Sequence, residues 1–150
     1  DKNINIIVDK EKFSPNARVL VIKPLISQVF SNIIENATKY SFPDSDVIIQ
    51  CDFNKGKNSY IVRIKNRGVK ISEEEQKRIF ERGFRSKTAK EKYPAGTGFG
   101  LYIAKKIIDI HEGNIGLQLD SNMTVFYVEL PIDALQGKAR MRDAQNSITY

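Results

Sequence analysis

The sequence predicts an α+β fold: a two-layer α/β sandwich with a mixed, mostly antiparallel sheet and helices on one face. Three observations lead there. Residues 23–40 carry apolar side chains at helical spacing. Residues 46–65 and 114–130 each read as a hairpin with period-two alternation. The elements run β, α, hairpin, short α, loop, α, hairpin, so that strands and helices sort into two layers. The 150 residues are most simply one domain, with 41% hydrophobic content sufficient for a core. That domain is assigned to 1–132, followed by a polar tail at 133–150 with no clear period.

Each element has a local reason. Asn3 to Val8 (N-I-N-I-I-V) reads as a strand, and Asp9 to Asn16 as a polar connection with Ser14-Pro15 as a turn signal. A short apolar run, 17–22, feeds the long helix. That helix starts at Lys23 with Pro24 in its first turn, where a missing N–H does no harm. At about 100° per residue, Leu25, Ile26, Val29, Phe30, Ile33, Ile34 and Ala37 cover one face, with Ser27, Ser31 and Thr38 opposite. Ser41 to Asp46, with Pro43, breaks it.

Strands at 46–53 and 59–65 flank N-K-G-K-N, where Gly56 is available for a positive φ. Val47, Ile49, Cys51 and Phe53 share one face of the first strand, and Tyr60, Val62 and Ile64 one face of the second. Asn66 to Ser72 forms a glycine-containing turn. Ser72 with Glu75 makes a capping box for a short helix to about Phe80. Residues 82–95 are polar and basic with little periodicity, and read as a mobile loop. Gly96-Thr97-Gly98-Phe99-Gly100-Leu101 opens the next helix, whose Leu101, Ala104, Ile107, Ile108 and His111 share one side. Gly113 stops it. Strands at 114–119 and 124–130 complete the second hairpin, and Pro131 ends it.

Composition narrows the functional classes. The net charge is +6, which suits nucleic acid, an anionic membrane or a polyanionic small ligand. No segment reads as a zinc finger or an RNA-recognition sheet, and nothing places a basic recognition helix after a tight turn. A charged nucleotide accounts for the excess as well as DNA does. No apolar run approaches the roughly 20 residues needed to cross a bilayer. No leader opens the chain, which begins in strand-like sequence and reads as an excised piece. Cys51 is the one cysteine, so no internal disulfide forms, which fits a reducing compartment.

Two places carry chemistry. Asn32, Asn36 and Lys39 line up along one border of the apolar arc of the long helix, with Tyr40 just inside it. Amide oxygens are hard ligands suited to magnesium. An ammonium on a long stem suits a phosphate, and a phenol offers a flat face to a base or sugar. A surface helix with a polar rim would show the same row. The second place is the turn with glycines at 96, 98 and 100 directly before a helix. Without Cβ atoms its backbone N–H groups can close on an anion, and the helix start adds partial positive charge. Thr97 adds a hydroxyl. Glycines before a helix also serve simply as turns. The pattern lacks the G-K-[ST] ending of a P-loop, and no βαβ unit surrounds it.

The combination is more specific than either part. N-I-I-E-N-A-T-K-Y, F-E-R-G-F-R and G-T-G-F-G-L-Y-I-A-K-K-I occur in that order. They resemble the N box, F box and second glycine box of the ATP-binding catalytic domain of bacterial sensor histidine kinases, of the GHKL superfamily with its Bergerat fold. The likeness covers about residues 3 to 132. It implies that Asn36 is a magnesium ligand with Asn32 beside it, that Lys39 reaches the phosphates and that Tyr40 packs near the nucleotide. Gly96, Thr97, Gly98, Phe99, Gly100 and Leu101 would wrap the triphosphate. Arg82 to Lys92 would form the lid, with Arg85 or a nearby lysine on the γ-phosphate. Asn36, Lys39 and Arg85 would thus serve phosphoryl transfer, and Phe80 would anchor the lid. Asn66, Gly68 and Ile71 would line the adenine end. There the family usually has D-x-G-x-G, with Asp accepting from the adenine amine, whereas this chain has N-R-G-V-K at 66–70. A neutral acceptor for a charged one costs about 1 kcal/mol, near fivefold in affinity, and Lys70 adds bulk.

The ATPases that share this fold carry a glutamate four residues before the magnesium-binding Asn. Here that position is Asn32, and an amide cannot act as general base. Glu35 reads as poorly aimed. The resemblance therefore implies phosphoryl transfer to a supplied acceptor. His111, the one histidine, reads as core packing, so the acceptor is expected on a dimerisation domain upstream. The implied partners are that phosphoacceptor domain, a response regulator and a second copy of the parent. Neither nucleic acid nor membrane contact is expected of this domain, and its expected place is the cytoplasm. A degenerate nucleotide-binding regulatory module and an anti-sigma-type serine kinase stay as alternatives.

Overall fold

The computed structural model describes residues 2–13 and 18–132. The Ser14-Pro15 turn and the tail at 133–150 lie outside the described residues. The elements are β1 (Asn5–Val8), a 3-10 turn (Lys10–Lys12), α1 (Lys23–Tyr40), β2 (Asp46–Asn54), β3 (Ser59–Asn66), α2 (Glu73–Arg78), α3 (Lys87–Lys92), α4 (Gly100–Ile110), β4 (Asn114–Asp120) and β5 (Met123–Pro131). The five strands form one sheet in the order β1-β2-β3-β5-β4. β1 runs parallel to β2, and every other pair is antiparallel.

The register puts the apolar alternate residues on one face: Ile49 opposite Ile64, Ile64 opposite Phe126, and Phe126 opposite Leu117. Onto that face pack Ile26, Val29, Ile33 and Ala37 of α1 and Ala104, Ile107 and Ile108 of α4, forming one core. Each fully buried isoleucine there contributes about 1.5–3 kcal/mol. The long strand pairs thus supply a floor, and α1 and α4 lie against each other above it. His111 is fully buried at the end of α4. Its Nε2 accepts from the Ile22 N–H at 3.0 Å and its Nδ1 donates to the Ile107 carbonyl at 2.7 Å. It is a structural bolt between α4 and the entry to α1.

Several boundaries differ from the sequence expectation. β1 begins at Asn5 because Asn3 sits at φ 47°, held by its amide on Asp44 at 2.9 Å. The capping box of Ser72 and Glu75 is present, and α2 ends at Arg78 rather than Phe80. In the first hairpin the positive φ falls on Asn58, not Gly56. At the end of α4 it falls on Glu112. Gly113 is needed instead because a Cβ there would lie 2.5 Å from the Glu129 carbonyl of β5. The basic stretch expected as a loop contains α3, whose start is capped by Ser86 accepting from the Ala89 N–H. No helix among the described residues is long and apolar enough to cross a membrane.

Candidate functional site

A cleft of about 820 Å³ opens between the border row of α1, the segment 84–101 and the ends of β3 and β5. Asn32, Asn36, Lys39 and Tyr40 line one side, and Gly96 to Leu101 the other. The two sides are tied directly: the Asn32 Nδ2 donates to the Gly100 carbonyl at 3.0 Å. Four basic side chains line the cleft (Lys39, Lys70, Arg85 and Lys92) against one acidic, Glu35. Such a lining favours a polyanion. Glu35, expected to point elsewhere, stands at the edge of this cleft and is exposed.

The glycine turn is shaped by close approach. Gly98 has φ 74°, and a Cβ there would lie 2.8 Å from the Gly83 carbonyl carbon and the Phe84 oxygen. A Cβ at Gly96 would lie 2.9 Å from the Arg85 guanidinium. The start of α4 carries no side-chain cap. Its first N–H groups are therefore open to an acceptor in the cleft, and the helix dipole favours an anion there. The Thr97 hydroxyl oxygen takes the Phe99 N–H at 3.4 Å.

Segment 84–96 is held closed by two side chains. The Arg85 guanidinium donates to the Pro94 carbonyl at 3.1 Å, to the Ala89 carbonyl at 2.8 Å and to the Tyr93 carbonyl. Arg85 thus serves as an internal strut. The Tyr93 hydroxyl donates to the Lys39 carbonyl at 2.7 Å. The Lys39 ammonium sits 4.4 Å from the centre of the Tyr93 ring, and Tyr40 meets that ring edge-on at 5.6 Å. Burial pushes the Tyr40 phenol above its ordinary value, partly offset by the Arg85 charge.

At the other end Asn66 is buried and donates its Nδ2 to the Ser41 hydroxyl at 3.2 Å. Thr124, its cross-strand neighbour on β5, and Ile71 line the same cleft. Gly68 does not line it. A Cβ at Gly68 would lie 2.2 Å from the Tyr40 carbonyl, so this glycine lets the exit of β3 close on the end of α1. Val69 N–H then donates to that carbonyl at 3.0 Å.

The structure therefore brings together Asn32, Asn36, Lys39, Tyr40, Asn66, Ile71, Arg85 and the whole 96–101 turn, and leaves Gly68 and Arg82 outside the lining. Sequence reasoning missed Tyr93 and Thr124. Tyr93 stood out as an aromatic in a basic stretch, and Thr124 follows once β3 and β5 are paired through Asn66. Among the described residues no cluster of His, Cys, Asp or Glu could hold a metal. The oxygens of Asn32 and Asn36 are hard donors that suit magnesium, which keeps most of its shell as water and substrate phosphate.

Residues 22–134 match the family model described as histidine kinase-, DNA gyrase B-, and HSP90-like ATPase. The Staphylococcus aureus sensor protein SrrB is 35% identical over 107 residues, which cover 71% of this chain and 18% of that protein. The chain thus spans about a fifth of the length of the curated relatives it matches. The nucleotide-free catalytic domain of histidine kinase ThkA is similar in structure, with TM-score 0.72 at 30% identity over 87% of this chain and 82% of that one. ThkA in complex with the response regulator TrrA matches at TM-score 0.67 and 26% identity, over 88% of this chain and 34% of that one.

Proposed function

The chain belongs to the histidine kinase-, DNA gyrase B- and HSP90-like ATPase family, and on that premise we propose that it is the MgATP-binding catalytic domain of a sensor histidine kinase. It donates the γ-phosphate to a histidine on a dimerisation domain outside these 150 residues, from which a response regulator takes it. One observation carries the reading: the Asn32–Gly100 bond that joins the amide row to the glycine turn across a cationic cleft.

In this reading the triphosphate lies between α1 and the start of α4, with the base toward Asn66. Asn36, with Asn32 beside it, holds magnesium, which neutralises phosphate charge when bound. The Lys39 ammonium and the uncapped N–H groups of α4 hold phosphate oxygens. Little covalent work falls to the domain; it orients the γ-phosphate and shields it from water. Arg85 supports this from inside the lid. Contact with the γ-phosphate requires it to release the carbonyls of Ala89, Tyr93 and Pro94. Asn32 stands where a hydrolase of this family would need a base, which favours transfer over hydrolysis.

Calorimetric titration with MgATP tests the binding. Asn36→Ala removes it, and equal affinity in that variant rejects the metal role. Adding the upstream segment of the parent with labelled ATP tests the transfer. Binding without transfer would favour the regulatory module, the reading that Asn66 and Lys70 in the first glycine box support.

A further inference from the structure

Asn66 belongs to a directional chain of hydrogen bonds. The Ser41 hydroxyl lies 2.6 Å from the Ala37 carbonyl oxygen, which also takes the Ser41 N–H at 3.1 Å. A carbonyl only accepts, and a serine hydroxyl has one proton. That proton is committed to Ala37. The Asn66 atom 3.2 Å from the same hydroxyl oxygen must then be the donor, so it is the amide nitrogen. Ser41 and Asn66 are both 3% exposed, so water does not relax the constraint.

The two ends of an asparagine amide have nearly the same shape. Unconstrained, Asn66 could offer a ligand either its N–H groups or its oxygen. With the nitrogen held on Ser41, the amide can no longer turn over: one N–H is spent, and the oxygen is the acceptor that Asn66 keeps for a ligand in the cleft it lines.

We infer that Ser41 is a specificity-positioning residue: by fixing the Asn66 amide it makes the base end of the cleft accept a 6-amino purine and disfavour a 6-oxo one. The inference rests on the nucleotide reading above. An exocyclic amine donates to the held oxygen. A ring carbonyl in the same place sets two acceptors against each other, and a buried acceptor without a donor loses about tenfold in affinity. Ser41 touches neither ligand nor metal in this account; it acts through Asn66.

Magnesium complexes of ATP and inosine triphosphate, titrated calorimetrically into the protein, test it. They differ at the position in question. The unaltered chain is expected to bind ATP about tenfold more tightly. Ser41→Ala frees the amide to turn over. The preference then falls to about twofold or less, and inosine triphosphate binds more tightly in absolute terms, which a general loss of structure would not produce. Ser41→Thr keeps the hydroxyl and restores the preference. In an Asn66→Asp background, whose carboxylate has no N–H end, Ser41→Ala leaves the preference in place. Equal affinities in the unaltered chain overturn the inference without any variant. So does a Ser41→Ala protein that loses both nucleotides alike. If the unaltered chain binds neither nucleotide, the nucleotide reading itself fails and this inference falls with it.

Discussion

Tyr93 is the residue on which closure of the 84–96 segment depends. Its hydroxyl bond to the Lys39 carbonyl is 2.7 Å long, and a neutral bond of this kind nets about 1 kcal/mol. Its ring accepts the Lys39 ammonium at 4.4 Å and the edge of Tyr40 at 5.6 Å, each worth roughly 0.5–1.5 kcal/mol at a half-buried place. Tyr93→Phe removes only the hydroxyl bond and should raise the open population about fivefold. Tyr93→Ala removes all three contacts, about 2–4 kcal/mol, and should raise it roughly 30- to 700-fold. The assay is amide hydrogen exchange. Lys90, Tyr93 and Gly96 donate their N–H groups to the Ser86, Ala89 and Tyr93 carbonyls, so their protection reports local opening. The amide of His111, bonded in α4, serves as the internal reference. Unchanged protection at Lys90, Tyr93 and Gly96 in Tyr93→Ala would refute the latch. The Ser86 cap and Arg85 would then hold the segment by themselves.

Three further outcomes follow from the geometry. Arg85→Lys should weaken MgATP binding and lid protection at least tenfold, much as Arg85→Ala does, because one ammonium cannot span the three carbonyls that the guanidinium bonds; full affinity in the lysine variant would mark a direct phosphate contact instead. Gly68→Ala forces a Cβ to within 2.2 Å of the Tyr40 carbonyl; the overpacking should cost about 3 kcal/mol and lower the melting temperature by about 10 °C. The Glu129 carboxyl is held below its ordinary value of 4.5, first by the Ser59 hydroxyl and also by Lys57, against the opposing effect of burial. It therefore contributes stability that is present above about pH 4.5 and is lost as pH falls through its lower folded value. Urea midpoints across that range should show an acid limb that Ser59→Ala flattens.

The sequence was most legible where one residue decides one local event. Pro24 and Pro43 bracket α1, and its span agrees with the expected one to the residue at Lys23 and Tyr40. The alternation of Val47, Ile49 and Cys51 and the Ser72–Glu75 box were equally local, and both are present. α3 was not legible because it is six residues long and buries only Ala89. One buried position leaves no period to read, and the cap at Ser86 was the single signal. Gly68 was legible as necessary but not as to why. The contact that requires it is with a carbonyl at the end of α1, which no local pattern reveals. Tyr93 and Lys39 lie 54 residues apart, and their pairing appears only once the lid is folded against the helix. Most of the residues singled out, Gly68 excepted, line one cleft because the motifs sit at element ends, where the topology gathers them.

That gathering has a physical centre in the last turn of α1. A helix leaves its final carbonyls without intrahelical partners, and here other parts of the site take them up. The Ala37 carbonyl, already bonded to the Ser41 N–H, also receives the Ser41 hydroxyl, which holds Asn66 at the end of β3. The Lys39 carbonyl receives Tyr93 from the lid and Lys2 from the segment before β1. The Tyr40 carbonyl receives Val69 from the turn after β3. The same turn carries the Lys39 and Tyr40 side chains into the cleft. A shift of this turn by a fraction of an ångström would therefore act at once on the Asn66 end of the cleft, the Tyr93 latch and the Lys39 ammonium. Lys2 bonds the Lys39 carbonyl and, at 3.1 Å, the Ser41 carbonyl. Through it the start of the described chain is joined to the last turn of α1, whose Lys39 and Tyr40 line the cleft.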